Sequence, residues 1–406
     1  MNNIIKYASI IIPTLGMLSG LSLAITTTTF SLTMVLYSRN RINIKLLKHS
    51  SEILFLFLLL ISTSWSSKPF EASIMAISLI LLISPFYLTF YNIDTLSTKI
   101  KFTYKYLTWG FIGALFMFYF EYFTSGVINS GFRFIFQANS STYHFMLYNL
   151  DRGCVMLSLL AWVVMACNFL ESKKYLSFII YSFTIVTLYI SDSLAAFVGF
   201  LLGGMLFMLL SFRILLNPRI LSGIVICSSL LFLSIIKNYD AKQIIDKFDS
   251  IPISAKHRIF IWKHTMELSE TKPLLGHGFG ESRFIDSQKD YTMYNNIKLL
   301  LFPTHPHNNL MQLLLENGII GLMFYLTLIC GYIFRWHSLF KDMINDPNKK
   351  YKIVYKTGIS CLACLFVISM ISFNIWQPWF ICTYLWVGIY MSSIHSNLRK
   401  EYTAVI

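Results

Sequence analysis

The sequence predicts an all-α polytopic membrane protein, and three observations carry that reading. Of its 406 residues, 55% are hydrophobic and only 13% are charged. A soluble globular chain carries about 25% charged residues, so this one lacks the polar surface to cover itself in water. Apolar runs of bilayer-spanning length recur along the whole chain, and only a helix satisfies every peptide group inside such a segment. The basic residues fall in short clusters between these runs, as they do in membrane loops.

Twelve spans are read, at about 5–20, 21–38, 52–66, 74–92, 104–124, 152–170, 175–191, 193–212, 219–237, 309–335, 354–373 and 378–396. The first lacks a small-residue cleavage site of the A-x-A type and is expected to stay as a helix. It and the third are short, which tilt or local thinning of the bilayer accommodates. Arg39, Arg41, Lys45 and Lys48 follow the second span, and Lys99, Lys101 and Lys105 lie around the start of the fifth. Lys173 and Lys174 separate the sixth from the seventh, and Arg213 and Arg219 the eighth from the ninth. Lys341, Lys349, Lys350 and Lys352 follow the tenth, and Arg399 with Lys400 follows the last. The short alternate connections at 67–73, 191–193 and 374–377 hold only Lys68. By the positive-inside rule, both termini are cytoplasmic.

The same patterning excludes other classes. The net charge of +14 suggests a polyanion partner, yet no basic stripe with interleaved aromatics marks a nucleic-acid face. All seven cysteines lie in apolar segments, and Cys361-x-x-Cys364, a metal or redox spacing in form, has no neighbouring His or carboxylate. These read as small buried residues. The chain therefore divides into a first helical region (1–237), a large outer loop (238–308), three further spans (309–396) and a cytoplasmic tail (397–406).

A shorter outer segment covers 125–151. In the large loop, ISAKHRIFIWKHTMELSE has helical spacing, with Ile259, Ile261, Trp262 and Met266 on one face, as in a helix lying on the membrane or capping the bundle. Arg258 lies on the same stretch, and a guanidinium offers forked, permanently charged donors to a phosphate. LLGHGFG follows, with His277 between two glycines that permit a tight turn or close approach; it lacks the flanking strand and helix of a dinucleotide site. Then comes Thr304-His305-Pro306-His307-Asn308-Asn309. An imidazole can take a proton from an attacking hydroxyl near neutral pH. Asn308 or Asn309 can cap the following helix. Two histidines without a third ligand make a poor zinc site. Two further polar clusters sit at span ends, Tyr148-Asn149-Leu150-Asp151-Arg152-Gly153 and Ser191-Asp192-Ser193; Asp192 is a candidate partner for Arg152.

Taken together, Arg258-x-x-x-Trp262, Pro273-Leu274-Leu275-Gly276-x-Gly278, His305-x-His307-Asn308 and Glu316-Asn317-Gly318-Ile319-Ile320-Gly321 resemble the O-antigen ligase and polymerase superfamily. The likeness is sharp over about 255–325 and rests elsewhere on topology. It implies a GT-C-like glycosyltransferase architecture of about 12 transmembrane helices, with a large helical periplasmic loop between helices 9 and 10. It also implies transfer of a glycan from undecaprenyl diphosphate to a sugar hydroxyl of lipid A-core, at the periplasmic face of the bacterial inner membrane, with no metal or other cofactor. By the same resemblance His307 is the general base and Arg258 binds the diphosphate. Arg152, His305, Asn308, Asp192, Trp262 and His277 are the candidate substrate-binding residues. Ligases often carry an arginine where Leu194 follows Ser193, so Arg152 is the candidate to supply that charge. O-antigen polymerase is the alternative within the superfamily. A lipid or glycan transporter is the alternative outside it, disfavoured because the suspicious residues gather on one side rather than at the midplane.

Overall fold

A computed structural model describes residues 2–38, 42–43, 51–94, 104–136, 145–247, 253–285, 291–294, 297–302, 304–347 and 349–405. The basic residues Arg39, Arg41, Lys45, Lys48, Lys99 and Lys101, used above for orientation, lie outside the described residues. In order the helices are α1 (Asn2–Gly16), α2 (Gly20–Tyr37), α3 (Ser51–Ser62), α4 (Pro69–Tyr91), α5 (Tyr104–Phe123), α6 (Val127–Phe136), α7 (Asp151–Leu170), α8 (Lys174–Ile190), α9 (Leu194–Leu209) and α10 (Pro218–Asn238). There follow α11 (Ala241–Lys247), α12 (Ile253–Thr271), strands β1 (Tyr291–Tyr294) and β2 (Ile297–Leu300), α13 (Asn309–Phe340), α14 (Lys349–Ile371) and α15 (Pro378–Val405).

Each of the twelve segments expected to span is helical. Among the described residues, six helices are long and apolar enough to cross a membrane: α2, α4, α7 with the turn before it, α10, α13 and α14. Shorter apolar helices are α3 with its 3-10 extension, α8 and α9. This is a multi-pass, all-α membrane architecture. Outward faces carry Leu81, Phe116, Phe178, Met208 and Leu231, all exposed, as residues that face lipid are.

The bundle is built around α7. Its residues from Gly153 to Asn168 are buried on every side, which explains a sequence that is apolar all round rather than striped. Helices α5, α8, α9, α14 and α15 pack against it. Lipid tails are as apolar as leucine, so helix pairing here depends on close packing more than on water exclusion. The α9–α14 contact shows how: a Cβ on Gly199 or Gly203 would come 2.9 Å from the Cys364 or Ser360 carbonyl oxygen. Cys361 and Cys364 are buried in this seam and point their thiols at the Leu159 carbonyl and the Ser158 hydroxyl of α7.

The stretch from 238 to 308, expected as a helical loop, holds two α-helices and also a pair of strands among its described residues. Tyr291 to Tyr294 and Ile297 to Leu300 form an antiparallel hairpin, with Tyr291 opposite Leu300. These eight residues are rich in β-branched and aromatic types, and each run is too short for a helix. Helix α12 caps the bundle, packing on α10 and α13. Its buried face runs through Ile261, Thr265, Met266 and Ser269, while Ile259 is only half-buried.

Two motifs of the sequence dock onto each other here. Helix α13 breaks at Gly318, which takes φ 64° and ψ −162°. The break releases carbonyls that a continuous helix would use. Leu315 and Glu316 accept from the backbone N–H groups of His277 and Gly278 at 2.8 Å each, and Pro273 accepts from that of Ile319 at 2.8 Å. A Cβ on Gly276 would lie 2.5 Å from the Asn317 nitrogen, and one on Gly318 would lie 2.3 Å from the Leu274 oxygen. The PLLGHG and ENGIIG stretches are glycine-rich because two backbones meet face to face.

Candidate active site

The site is assembled at the start of α13. Asn308 caps that helix, its side-chain oxygen accepting from the Met311 N–H at 3.0 Å. Its amide nitrogen meanwhile donates to the Met370 carbonyl at 2.8 Å. His307 precedes it with φ +55°, a left-handed conformation uncommon for a residue bearing a side chain. Three contacts hold the loop in place. His307 Nδ1 lies 2.8 Å from the Ser372 carbonyl, Asn308 reaches Met370, and Trp262 Nε1 donates to the Pro306 carbonyl at 2.9 Å. Met370 and Ser372 stand at the C-terminal end of α14, where carbonyls have no partner within the helix.

The carbonyl partner decides the chemistry of His307. A carbonyl only accepts, so Nδ1 carries the hydrogen and Nε2 keeps its lone pair. No hydrogen bond engages Nε2 among the described residues, and the ring is half-buried. His305 differs. Its ring lies 4.1 Å from that of His307, its Nδ1 meets the Thr304 hydroxyl at 2.9 Å, and its Nε2 is sealed from solvent without a partner.

Burial sets the charge state of this pair. It pushes His307 down to about 4; the Ser372 carbonyl opposes this, and the charges of Arg258 and His257 add to it. Burial, then His307, brings His305 down to about 3. Both imidazoles are neutral near pH 7, and a neutral Nε2 is a proton acceptor.

Arg258 stands on α12, one turn before Trp262. It is half-buried, and no hydrogen bond or ion pair holds its guanidinium among the described residues. Burial lowers its pKa and the charge of Asp151 opposes that shift. A partly desolvated, unpaired guanidinium is a ready anion site. Arg152, on the first turn of α7, is exposed, with its guanidinium 5.9 Å from the centre of the Trp379 ring at the start of α15.

The structure thus brings His307, His305, Asn308, Arg258 and Trp262 together. The remaining candidates stand elsewhere or differently. His277 turns away, with Nε2 3.1 Å from both the Leu268 carbonyl and the Thr271 hydroxyl at the end of α12. Asp192 is exposed in a left-handed turn (φ +58°), and no ion pair joins it to Arg152 among the described residues. Asp151 lies nearer the site than Asp192: it accepts a hydrogen bond from Ser193 and its charge reaches Arg258. The sequence signal for Asp151 was its position directly before Arg152 at the outer end of a span.

Comparison with known proteins gives the family. A family model described as O-antigen ligase matches residues 176–326. A Rickettsia typhi protein named as a candidate polysaccharide ligase is 32% identical over 405 residues, covering 94% of this chain and 95% of its own length. The chain belongs to the O-antigen ligase family. A Rickettsia prowazekii protein of the same name is 31% identical, again over 94% of this chain and 95% of its own. A Rickettsia conorii protein of that name is 37% identical over 248 residues, 61% of this chain and 58% of its own. The O-antigen ligase match begins in α8 and ends within α13, so it covers α12, the His-Pro-His-Asn loop and the Gly318 break, but not the partner carbonyls on α14.

Proposed function

We propose that this O-antigen ligase family member is a glycosyltransferase that moves a glycan from undecaprenyl diphosphate to a sugar hydroxyl of lipid A-core, at the periplasmic face of the bacterial inner membrane. Twelve spans with both termini in the cytoplasm put the His305–Asn309 loop on that face. One observation carries the reading: a histidine with its Nδ1 hydrogen committed to the Ser372 carbonyl and its Nε2 free, on the same loop assembly as an unpaired Arg258.

In the reaction the acceptor hydroxyl oxygen bonds to the anomeric carbon as the bond from that carbon to the diphosphate oxygen breaks. The hydroxyl proton passes to His307 Nε2, and the electron pair leaves with the diphosphate. Arg258 meets the growing negative charge with two forked donors, and Arg152 adds a second cation. A positioned base contributes about 10²–10⁴ in rate, and preorganised donors aimed at developing charge add to it. His305 shapes the approach, since its Nε2 is closed off.

The test is transfer by purified protein in lipid, from a polyprenyl-diphosphate glycan to a core lipid. His307→Ala abolishes transfer and leaves donor binding intact. Arg258→Ala weakens donor binding and turnover together, and Arg258→Lys restores part, because a point charge does not reproduce the fork. Activity in His307→Ala with a dead His305→Ala reverses the assignment, and activity in both removes the base mechanism. In cells, loss of the chain leaves finished polymer on its carrier. Lipopolysaccharide capped with a single unit instead identifies a polymerase.

A further inference from the structure

Glu316 is fully buried inside α13, yet it carries a carboxylate that the proposed chemistry does not use. Four donors surround it. Trp376 Nε1 at 2.6 Å and the Gly280 N–H at 3.1 Å donate to Oε2, while Gln312 Nε2 at 3.0 Å and the Ser282 hydroxyl donate to Oε1. An ionised carboxylate only accepts and has about four lone-pair positions, so these donors saturate it. An acid buried at such depth is costly, and in a membrane segment it marks a functional constraint more often than a structural convenience.

Three of the donors come from two separate pieces of chain, and the fourth, Gln312, stands one turn earlier on α13. Gly280 and Ser282 end the glycine loop that docks on the α13 break. Trp376 belongs to the connection from α14 to α15, and Gln312 is tied to the same connection. Gln312 Nε2 donates to Asn374 Oδ1 at 3.1 Å, and its Oε1 accepts from the Ile375 N–H at 3.3 Å. Asn374 Oδ1 accepts in turn from the Trp376 N–H at 2.7 Å. That connection begins at Ser372, whose carbonyl holds His307 Nδ1. From the carboxylate the path runs through Trp376 and Gln312 to Asn374, then to Ser372 and the imidazole.

We infer that Glu316 is a positioning residue for the base: by clamping the 372–377 connection it fixes the carbonyl that sets the tautomer and aim of His307. A neutral side chain does not serve. Glutamine would point an NH2 group at two of the four donors, leaving them unpaired, and the connection would shift to relieve them.

This rests on His307 being the base, and the experiment separates the two claims. Transfer is measured with the full-length protein in lipid, with kcat taken per mole of folded, monodisperse enzyme. Glu316→Gln is expected to lower kcat about 10- to 100-fold, below the whole worth of a general base, and to leave the donor KM within about twofold. Glu316→Asp recovers part of the loss. A merely structural role would reduce the folded fraction and leave kcat per folded enzyme unchanged. Trp376→Phe removes one donor while keeping a ring against Phe279, and is expected to lower kcat about three- to tenfold, as one hydrogen bond of the clamp warrants. If Glu316→Gln does not fold, that variant decides alone. Wild-type kcat in either variant, with His307→Ala inactive, overturns the positioning role and leaves the base assignment standing. An active His307→Ala removes the base assignment first, and the inference with it.

Discussion

Trp262→Phe isolates one of the three contacts that hold the His-Pro-His-Asn loop. The indole Nε1 donates to the Pro306 carbonyl at 2.9 Å, and the ring packs edge-on against Phe232 with centroids 5.3 Å apart. Phenylalanine keeps most of the packing and deletes the donor. The loop it helps hold is strained, since His307 sits at φ +55°. Such a residue costs on the order of 1–3 kcal/mol and persists only where its surroundings over-determine it. A hydrogen bond contributes about 0.5–1.5 kcal/mol net, and a buried carbonyl left without a donor costs about 1–3 kcal/mol. Losing about 1–1.5 kcal/mol from a loop carrying strain of similar size lowers the ratio of held to released loop roughly 5- to 13-fold, at 1.36 kcal/mol per tenfold. That ratio bounds the effect, so the expected result is a measurable fall in kcat of at most about 13-fold with folded yield unchanged. Transfer of a polyprenyl-diphosphate glycan, read by gel mobility, reports it. A wild-type rate would refute the view that this contact holds the base. A rise in donor KM at constant kcat would show that Trp262 touches substrate instead.

Other consequences follow from the same geometry. The proposed base is active when neutral, so the rate should fall as the pH drops through the His307 value of about 4, not near 6.5. Arg258 lowers that value, so in Arg258→Ala the acid limb of kcat/KM should move to higher pH, and a limb that stays in place counts against their proximity. Gly276→Ala and Gly318→Ala each put a Cβ at 2.5 Å or less from facing backbone at positive φ, and should cost more than about 2 kcal/mol, seen as loss of monodisperse protein on detergent extraction. Reporter fusions after Ser50, Ser172 and Asn217 should all report cytoplasm; a periplasmic signal at any one breaks the twelve-span arrangement.

What the sequence revealed and what it hid divide along physical lines. The helical segments were legible because each must be apolar for about its whole length. His305, His307 and Arg258 stood out by their order with the Pro-Leu-Leu-Gly and Glu-Asn-Gly stretches, and the structure places them near one another. The Ser372 carbonyl was not, since every residue has a backbone oxygen and this one lies 65 positions away. Two aspartates stood at polar span ends and the sequence reading chose Asp192; which one turns inward depends on helix phase, and it is Asp151 on α7. The hairpin at 291–300 escaped because four-residue strands leave too short an alternation to separate from loop. Trp262 was selected as a substrate contact; its bond to the Pro306 carbonyl, which the sequence did not show, adds a hold on the loop.

The break at Gly318 divides α13 into two parts with different surroundings. Every residue from Asn309 to Asn317 is buried in protein, whereas beyond the break only a stripe through Leu322, Leu326, Ile333 and Trp336 is buried and Ile319 and Met323 are exposed. The first part is mounted on the glycine loop and the α14–α15 connection, and the same loop holds the first two residues past the break, since Ile319 and Ile320 donate to the Pro273 and Leu274 carbonyls. Gly318 therefore marks where the helix passes from packing on all sides to packing along one stripe. When the bilayer thickens or thins, the expected adjustment falls on the stretch beyond Ile320, while the stretch bearing the His-Pro-His-Asn loop stays registered to its own supports. Transfer rates measured across a series of phospholipid chain lengths should accordingly stay level, as an enzyme working beside so variable a solvent requires.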